Sequence, residues 1–388
     1  MKENLYQNAG SNLNSIFRST YGYYPQLIVK APGRINIIGE HTDYNFGFVL
    51  PAAINYYINA ALAKNGTNTC NVYAVDFDQK YQFSLNEISE SRIQWLNYIL
   101  GVTSQLSDKV EGFDMAFTGN IPRGAGLSSS AAICCATVMG LSYLFDLHLE
   151  KWAMAKIAQK SEHDFAHVNC GIMDQFACVF GKEKNALLLN CLTLEYEEVP
   201  IELGDFQFVL INSNVPHDLY DSPYNERRSE SEGAIVRIKK EESVIESYQD
   251  LTIDILNEYK VDIGDVAYRR AKHIIFENDR LHQFVEALSR GDRHNAGRLL
   301  SESHFSAKVD YEITCIQTDF LVEGLNKMEA VLGARQVGGG FGGCILALAK
   351  ASDVNEILLT LRSEYKNKFG LELDNIPIQI SKGCHRIQ

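Results

Sequence analysis

A strand that runs through a glycine-rich turn straight into an apolar helix leaves a chain few ways to fold, and Gly119 to Ala131 (GNIPRGAGLSSSA) has that pattern. Phe113 to Phe117 reads as the strand, and the helix opens at Ser129. Glycines let the backbone curl and approach closely, the helix N-terminus carries partial positive charge, and the hydroxyls of Ser128, Ser129 and Ser130 add donors. An anion fits there. A plainer reading also fits, in which the serines cap the helix and the glycines only turn the chain. The segment is not a Walker loop, since G-x-x-x-x-G-K-[ST] is absent, so a phosphate site would work without that lysine.

Around this segment the helical and strand periods alternate irregularly, which favours α+β domains over a doubly wound sheet and predicts mixed sheets with helices on one face. Leu5, Leu13, Ile16 and Phe17 outline an amphipathic helix, and Leu27 to Val29 starts a strand ahead of a turn at Pro32-Gly33. Strands are expected around Tyr56 to Leu62, Val72 to Ala74, Ala186 to Leu189, Phe206 to Ile211, Ile345 to Leu348 and Ile376 to Ile380. Helices are expected at Lys151 to His167, Ile172 to Phe180 and Ser352 to Tyr365, and from about Asn225 to Leu332 the chain is mainly helical. That shift puts a domain boundary near residue 200, giving domains 1–200 and 201–388, with the last strand free to pack on the first domain. A length of 388 residues suits two domains at roughly 150 residues each.

Charge and cysteine narrow the partners. Thirty-six Lys and Arg against 49 Asp and Glu give a net charge of −13, with no block of like charges, so nucleic acid and anionic membranes are not expected partners. Met1 to Gly10 lacks the apolar core of a secretory signal, and the most apolar stretch, Ala131 to Phe145, is too interrupted to span a membrane. Nine cysteines without a C-x-x-C pair read as reduced core residues of a cytoplasmic protein.

Ala31 to Pro51 (APGRINIIGEHTDYNFGFVLP) sets Arg34 beside Glu40, His41, Thr42 and Asp43. Two carboxylates and an imidazole in one turn suit a ligand with several hydroxyls, such as a sugar. An Asx-turn with a surface pair to Arg34 is the bland alternative, and E-H-x-D lacks zincin spacing. Between Lys151 and His167, Glu162 falls on the buried stripe with Trp152, Ala155 and Ala158, so it needs a cation or strong donors, Mg²⁺ being one candidate. His163 and His167 share their stripe with Lys156 and Lys160 and read as surface residues. Asp174, in NCGIMDQFACVFG, lies in a first helical turn, either complementing the dipole or acting as a general base. VGGGFGGCILAL at Val337 to Leu348 is either a tight bend or a second backbone surface that closes on a ligand.

Taken together and in this order, the segments resemble the galactokinases of the GHMP small-molecule kinase superfamily. GRINIIGEHTDYNFGFVLP (Gly33 to Pro51) resembles their signature, PRGAGLSSSA (Pro122 to Ala131) the phosphate loop and VGGGFGGC (Val337 to Cys344) the third motif. NCGIMDQF (Asn169 to Phe176) and INSNVPH (Ile211 to His217) also fit, so the resemblance spans about Ala31 to Cys344. It implies an N-terminal ribosomal-S5-like domain and a C-terminal ferredoxin-like domain with the active site in the cleft between them.

The resemblance also implies roles. Asp174 would take the proton of the C1 hydroxyl of galactose and Arg34 would steady the transition state, giving galactose 1-phosphate and ADP in the first step of galactose use. ATP would be held by Gly124, Ala125, Gly126, Leu127, Ser128, Ser129 and Ser130, with Trp95 packing on adenine. Mg²⁺ would sit at Ser130 and Glu162. Glu40, His41, Thr42, Asp43, Gly171, Asp174 and Tyr224 would contact the sugar. Arg123, Ala125 and Gln94 depart from residues common in relatives. A monomer is expected, binding only small molecules. The neighbouring alternatives are an N-acetylgalactosamine kinase and a non-catalytic galactose and ATP sensor; a metal-dependent hydrolase would need His163 and His167 as ligands.

Overall fold

The computed structural model describes residues 9–122, 124–215 and 223–388. Leu5, Arg123 and the last two residues of the Ile211 to His217 motif lie outside them. Thirteen strands are assigned among the described residues: β1 Leu27–Asn36, β2 Phe48–Val49, β3 Pro51–Lys64, β4 Thr69–Ala74, β5 Gln79–Ser84, β6 Phe113–Gly119, β7 Asn185–Asn190, β8 Tyr196–Pro200, β9 Phe206–Asn212, β10 Val331–Gln336, β11 Cys344–Lys350, β12 Asp374–Ile376 and β13 His385–Arg386. They form a six-stranded sheet in the order β13-β1-β3-β6-β4-β5, a four-stranded sheet β10-β11-β9-β12 and a three-stranded sheet β2-β7-β8. All neighbours are antiparallel except β4 and β6. The chain end crosses back to pair with β1, Val29 opposite Arg386.

Strand alternation divides the six-stranded sheet into two buried faces. Val29, Ala60, Leu62, Met115 and Phe117 face the main core, where the helix Ser129–Leu144 is buried almost all round. Ile28, Ala61, Ala63 and Ala116 face the other way, onto Leu13 and Phe17 of the helix Ala9–Tyr21. Helices therefore cover both faces rather than one, because alanines opposite Phe17 leave room for a second layer. The four-stranded sheet is also covered twice: Val209, Ile211, Ile345 and Ala347 pack on the helices Ile316–Leu325 and Val354–Phe369, and Leu210, Leu346 and Leu348 join the main core. That core thus reaches both large sheets.

Three expectations change. The chain does not turn at Pro32-Gly33; β1 continues to Asn36, with a bulge between Pro32 and Arg34. A Cβ on Gly33 would lie 2.6 Å from the Leu127 carbonyl oxygen, so this glycine serves close approach of the Gly119 to Ala131 segment. The helical stretch ends at Leu325, and Val331–Gln336 is a strand. The last expected strand, Ile376 to Ile380, is replaced by Asp374–Ile376 on β9 and a single bridge from Ile380 to Ile54.

Strand β10 is set by a glycine contact. The helix Arg293–Ser306 crosses β10 so closely that a Cβ on Gly333 would sit 1.8 Å from the Gly297 carbonyl oxygen. Overpacking at such a backbone contact typically costs about 1–3 kcal/mol. Gly333→Ala is expected to lower the urea-unfolding free energy by about that amount; an unchanged midpoint would refute the contact.

Candidate active site

The bulge in β1 turns Arg34 toward the first turn of the helix Met173–Phe180, where Asp174 sits. Nε of Arg34 donates to Asp174 Oδ1 and Nη2 to Oδ2, both at 2.6 Å, and Nη1 donates to the Gly126 carbonyl at 2.6 Å. This fork fixes the carboxylate plane and ties it to the glycine-rich loop. Burial works against the Arg34 charge, but Asp174 outweighs it and raises the guanidinium above its ordinary value. The Ser128 hydroxyl also donates to Asp174 Oδ2. Ser128 thereby reaches the carboxylate directly, a contact that its place in a phosphate loop did not foretell.

The loop from Gly124 to Ser128 holds Gly124 (φ 67°), Gly126 (φ 69°) and Ser128 (φ 59°) in the left-handed region, and the helix Ser129–Leu144 follows at once. Alternating left-handed residues curl successive N–H groups toward one side, the arrangement that receives an anion. Ala125 is fully buried and Leu127 accepts a bond from the Arg34 N–H at 3.2 Å. A cavity of about 320 Å³ lies against this loop, lined also by Arg34, Glu40, His41, Asp43, Glu162, Asp174, Tyr224, Gly338 and Gly339. The third glycine motif therefore acts as a second backbone wall.

Within that cavity the signature loop presents Glu40, His41 and Asp43. His41 is buried and left-handed (φ 61°), its Nδ1 lies 2.5 Å from the Tyr44 hydroxyl, and the backbone of Gly339 faces the ring. Burial pushes the imidazole down to about 3, so it is neutral. Tyr224 packs on the His41 ring at 5.3 Å. Gly171 lies against Asp43, with a Cβ there only 1.9 Å from Asp43 Oδ2. Thr42 stands apart from the cavity: it is fully buried and its hydroxyl bonds the Gly39 and Phe48 carbonyls at 2.9 and 2.6 Å. Its side chain holds the turn.

Glu162 is buried in the helix Lys151–Ala166, accepts from Gln175 Nε2 at 2.7 Å and faces the Ser130 hydroxyl. A larger cavity of about 1120 Å³ adjoins the first through Tyr98, Pro122, Ser129 and Ser130, and Trp95 and Phe77 line it. The Trp95 indole stacks on Phe77 at 16° and donates to Gln79 at 2.9 Å. His167 is exposed and bonds Glu90 at 3.0 Å, and His163 bonds the Cys170 carbonyl at 2.8 Å. His163 is thus half-buried, tying the helix end to the segment before Asp174.

Sequence reasoning missed Tyr44, Tyr311, His273, Glu277 and Arg335. Arg335 is fully buried two residues before the third motif and donates to Glu40 Oε1 at 3.3 Å. Glu277 and His273 lie on the buried stripe of the helix Asp265–Ser289 with Ile274, Leu281 and Phe284. The same stripe argument that singled out Glu162 applies to them.

Burial, then the nearby charge of Asp174, push Glu162 and Asp43 each up to about 7. A carboxyl raised in the folded state contributes stability that is present below its unfolded value and is lost as pH rises through about 7. Glu162→Gln removes that loss. In chelator-treated protein the variant is expected to exceed the parent by on the order of 1–3 kcal/mol at pH 8 in urea unfolding, converging toward pH 5. An offset independent of pH would refute this.

The chain matches three known families: the galactokinase galactose-binding signature over residues 15–64, the GHMP kinases N terminal domain over 97–182 and the GHMP kinases C terminal domain over 284–367. It is 40% identical over 362 residues to a galactokinase of Thermotoga neapolitana, covering 92% of this chain and 99% of that protein. A galactokinase of Clostridium acetobutylicum is 37% identical over 383 residues, covering 97% and 98%. The crystal structure of Lactococcus lactis galactokinase complexed with galactose superposes with a TM-score of 0.93 at 34% identity, covering 97% of this chain and 99% of that one. With its two-domain α+β fold, the chain belongs to the galactokinases of the GHMP kinase family.

Proposed function

We propose that this protein transfers the γ-phosphoryl group of ATP to the C1 hydroxyl of α-D-galactose, giving galactose 1-phosphate and ADP. The observation that carries the reading is the forked Arg34–Asp174 pair at the meeting point of the signature loop and the glycine-rich loop. Galactose sits in the smaller cavity against Glu40, His41, Asp43, Gly171 and Tyr224, whose carboxylates accept from sugar hydroxyls. ATP runs from Trp95 in the larger cavity to the loop Gly124 to Ser130, where curled N–H groups and the helix N-terminus receive its phosphates. In this reading residues 1–200 and 201–388 are the two domains flanking the cleft.

Phosphoryl transfer needs positioning and charge stabilisation more than covalent chemistry. Asp174, held in one plane by Arg34, accepts the proton of the attacking hydroxyl. Arg34 grips both oxygens of that carboxylate and balances charge that develops between donor and acceptor. Ser130 and Glu162 would hold Mg²⁺. Their oxygens are the hard donors this ion prefers, and Glu162, raised toward neutrality by burial and Asp174, gains from a cation. Among the described residues no group of three or more His, Cys, Asp or Glu is gathered to hold a metal ion, so Ser130 and Glu162 are the protein groups that would hold it. When bound, Mg²⁺ neutralises charge on the transferring phosphate. No helix of the described residues is long and apolar enough to cross a membrane.

ADP release with galactose, ATP and Mg²⁺, run beside glucose and N-acetylgalactosamine, tests the reading. Galactose-dependent ADP is expected; preference for N-acetylgalactosamine would move the assignment to that kinase, and binding without ADP would make the protein a sensor. Asp174→Asn is expected to cut kcat by about 10²–10⁴-fold with ATP-dependent thermal stabilisation kept. A fully active variant would refute the base assignment.

A further inference from the structure

Glu40 is held at each of its polar groups by residues far along the chain. Its N–H and that of Gly39 lie 3.4 and 3.1 Å from Glu277 Oε1. Its carbonyl lies 3.2 Å from His273 Nε2. Its carboxylate Oε1 accepts from the Gly338 N–H at 2.9 Å and from Arg335 at 3.3 Å. Glu277 is itself fully buried, accepts from Ser303 Oγ at 2.6 Å and is paired with Arg280. His273 is equally buried and its Nδ1 lies 2.9 Å from Ser306 Oγ.

We infer that Glu277 is a positioning residue for sugar binding: from the helix Asp265–Ser289 it fixes the N–H groups of Gly39 and Glu40 and so aims the Glu40 carboxylate into the cavity. The inference rests on reading Glu40 as a sugar-binding residue. A buried carboxylate costs stability unless it is paired, and its Oε1 faces two N–H groups of a turn that lies more than 200 residues away in the chain. Interior packing and Arg280 do not require that turn. Burial opposes the Glu277 charge, yet the permanent cations Arg280 and Arg335 hold its carboxyl below the usual range, so the acceptor stays ionised. Charge-assisted bonds to N–H groups are about twice as strong as neutral ones, which suits a carboxylate here. His273, pushed down to about 4 by burial, stays neutral and leaves the Glu40 carbonyl with a directed N–H instead of a second charge.

The test is steady-state kinetics of the full chain with galactose and ATP varied separately. Glu277→Gln keeps the shape but replaces an ionised acceptor with a neutral one. The galactose KM is expected to rise about tenfold, the equivalent of one such bond, with the ATP KM unchanged. In a Glu40→Gln background the same change is expected to add nothing further, because the two residues act through one group. A folded Glu277→Gln enzyme whose galactose KM stays within twofold overturns the inference. So does a rise in both KM values together, or an undiminished effect in the Glu40→Gln background. Should Glu277→Gln fail to fold, His273→Gln, which disrupts the bond to the Glu40 carbonyl together with the Ser306 contact, carries the same expectations, and Ser306→Ala, which removes the Ser306 contact alone, is expected to leave the galactose KM unchanged. If Glu40→Gln itself leaves the galactose KM unmoved, the sugar-site reading fails, whatever Glu277 does.

Discussion

The forked pair between Arg34 and Asp174 is the interaction on which the rest of the site depends. Arg34 is buried and Asp174 partly so, and a charge taken out of water is worth having only when it is paired and hydrogen-bonded; removing one partner of a fully buried pair costs about 3–5 kcal/mol, an upper bound for this one. Here the third guanidinium nitrogen is also used, on the Gly126 carbonyl. One side chain thus joins a sheet strand, the glycine-rich loop and the helix that carries Asp174. The absence of a Cβ at Gly33 lets the loop come within reach, as the Leu127 carbonyl would meet any side chain there.

Carboxylates crowd around that pair. Glu40, Asp43, Glu162 and Asp174 line one cavity with Arg34 the permanent cation among its described lining residues. Burial raises Glu40, Asp43 and Glu162 above their usual range. Such a cluster costs folding stability, a cost that the hydroxyl-rich ligand and divalent cation of the proposed reading would relieve. The acidic balance of the whole chain says little about this. A small polyanion in a cleft is met by backbone N–H groups and a helix end, which net charge does not count.

Much of the fold was legible because it follows from period. The buried helix from Ser129, the stripe that placed Glu162 inside, and the alternating strands at Tyr56 to Leu62 and Phe113 to Phe117 all appear where the pattern puts them. The misreadings have local causes. Strand β5, which no expected strand covered, is mostly exposed with only Phe83 buried, and β10 is a six-residue run shaped by its glycine contact with a helix. Pro32-Gly33 has the composition of a turn, but the close approach of Leu127 accounts for the glycine.

The amino-acid sequence by itself determined most of the groups that line the candidate site, since the signature, the glycine-rich loop and Asp174 each lie in one short segment whose chemistry follows from residue type and spacing. Tertiary structure alone decided how they are held. Arg34 meets Asp174 across 140 positions and Glu277 meets the Gly39 peptide across 238, and no periodicity records a contact between segments so far apart. Thr42 and Ser128 show the same limit at short range. Both stand in motifs that suggest ligand contact, yet the first is turned onto its own loop and the second onto Asp174. The direction of a side chain depends on what packs around it, and that is settled only when the two sheets close on a shared core.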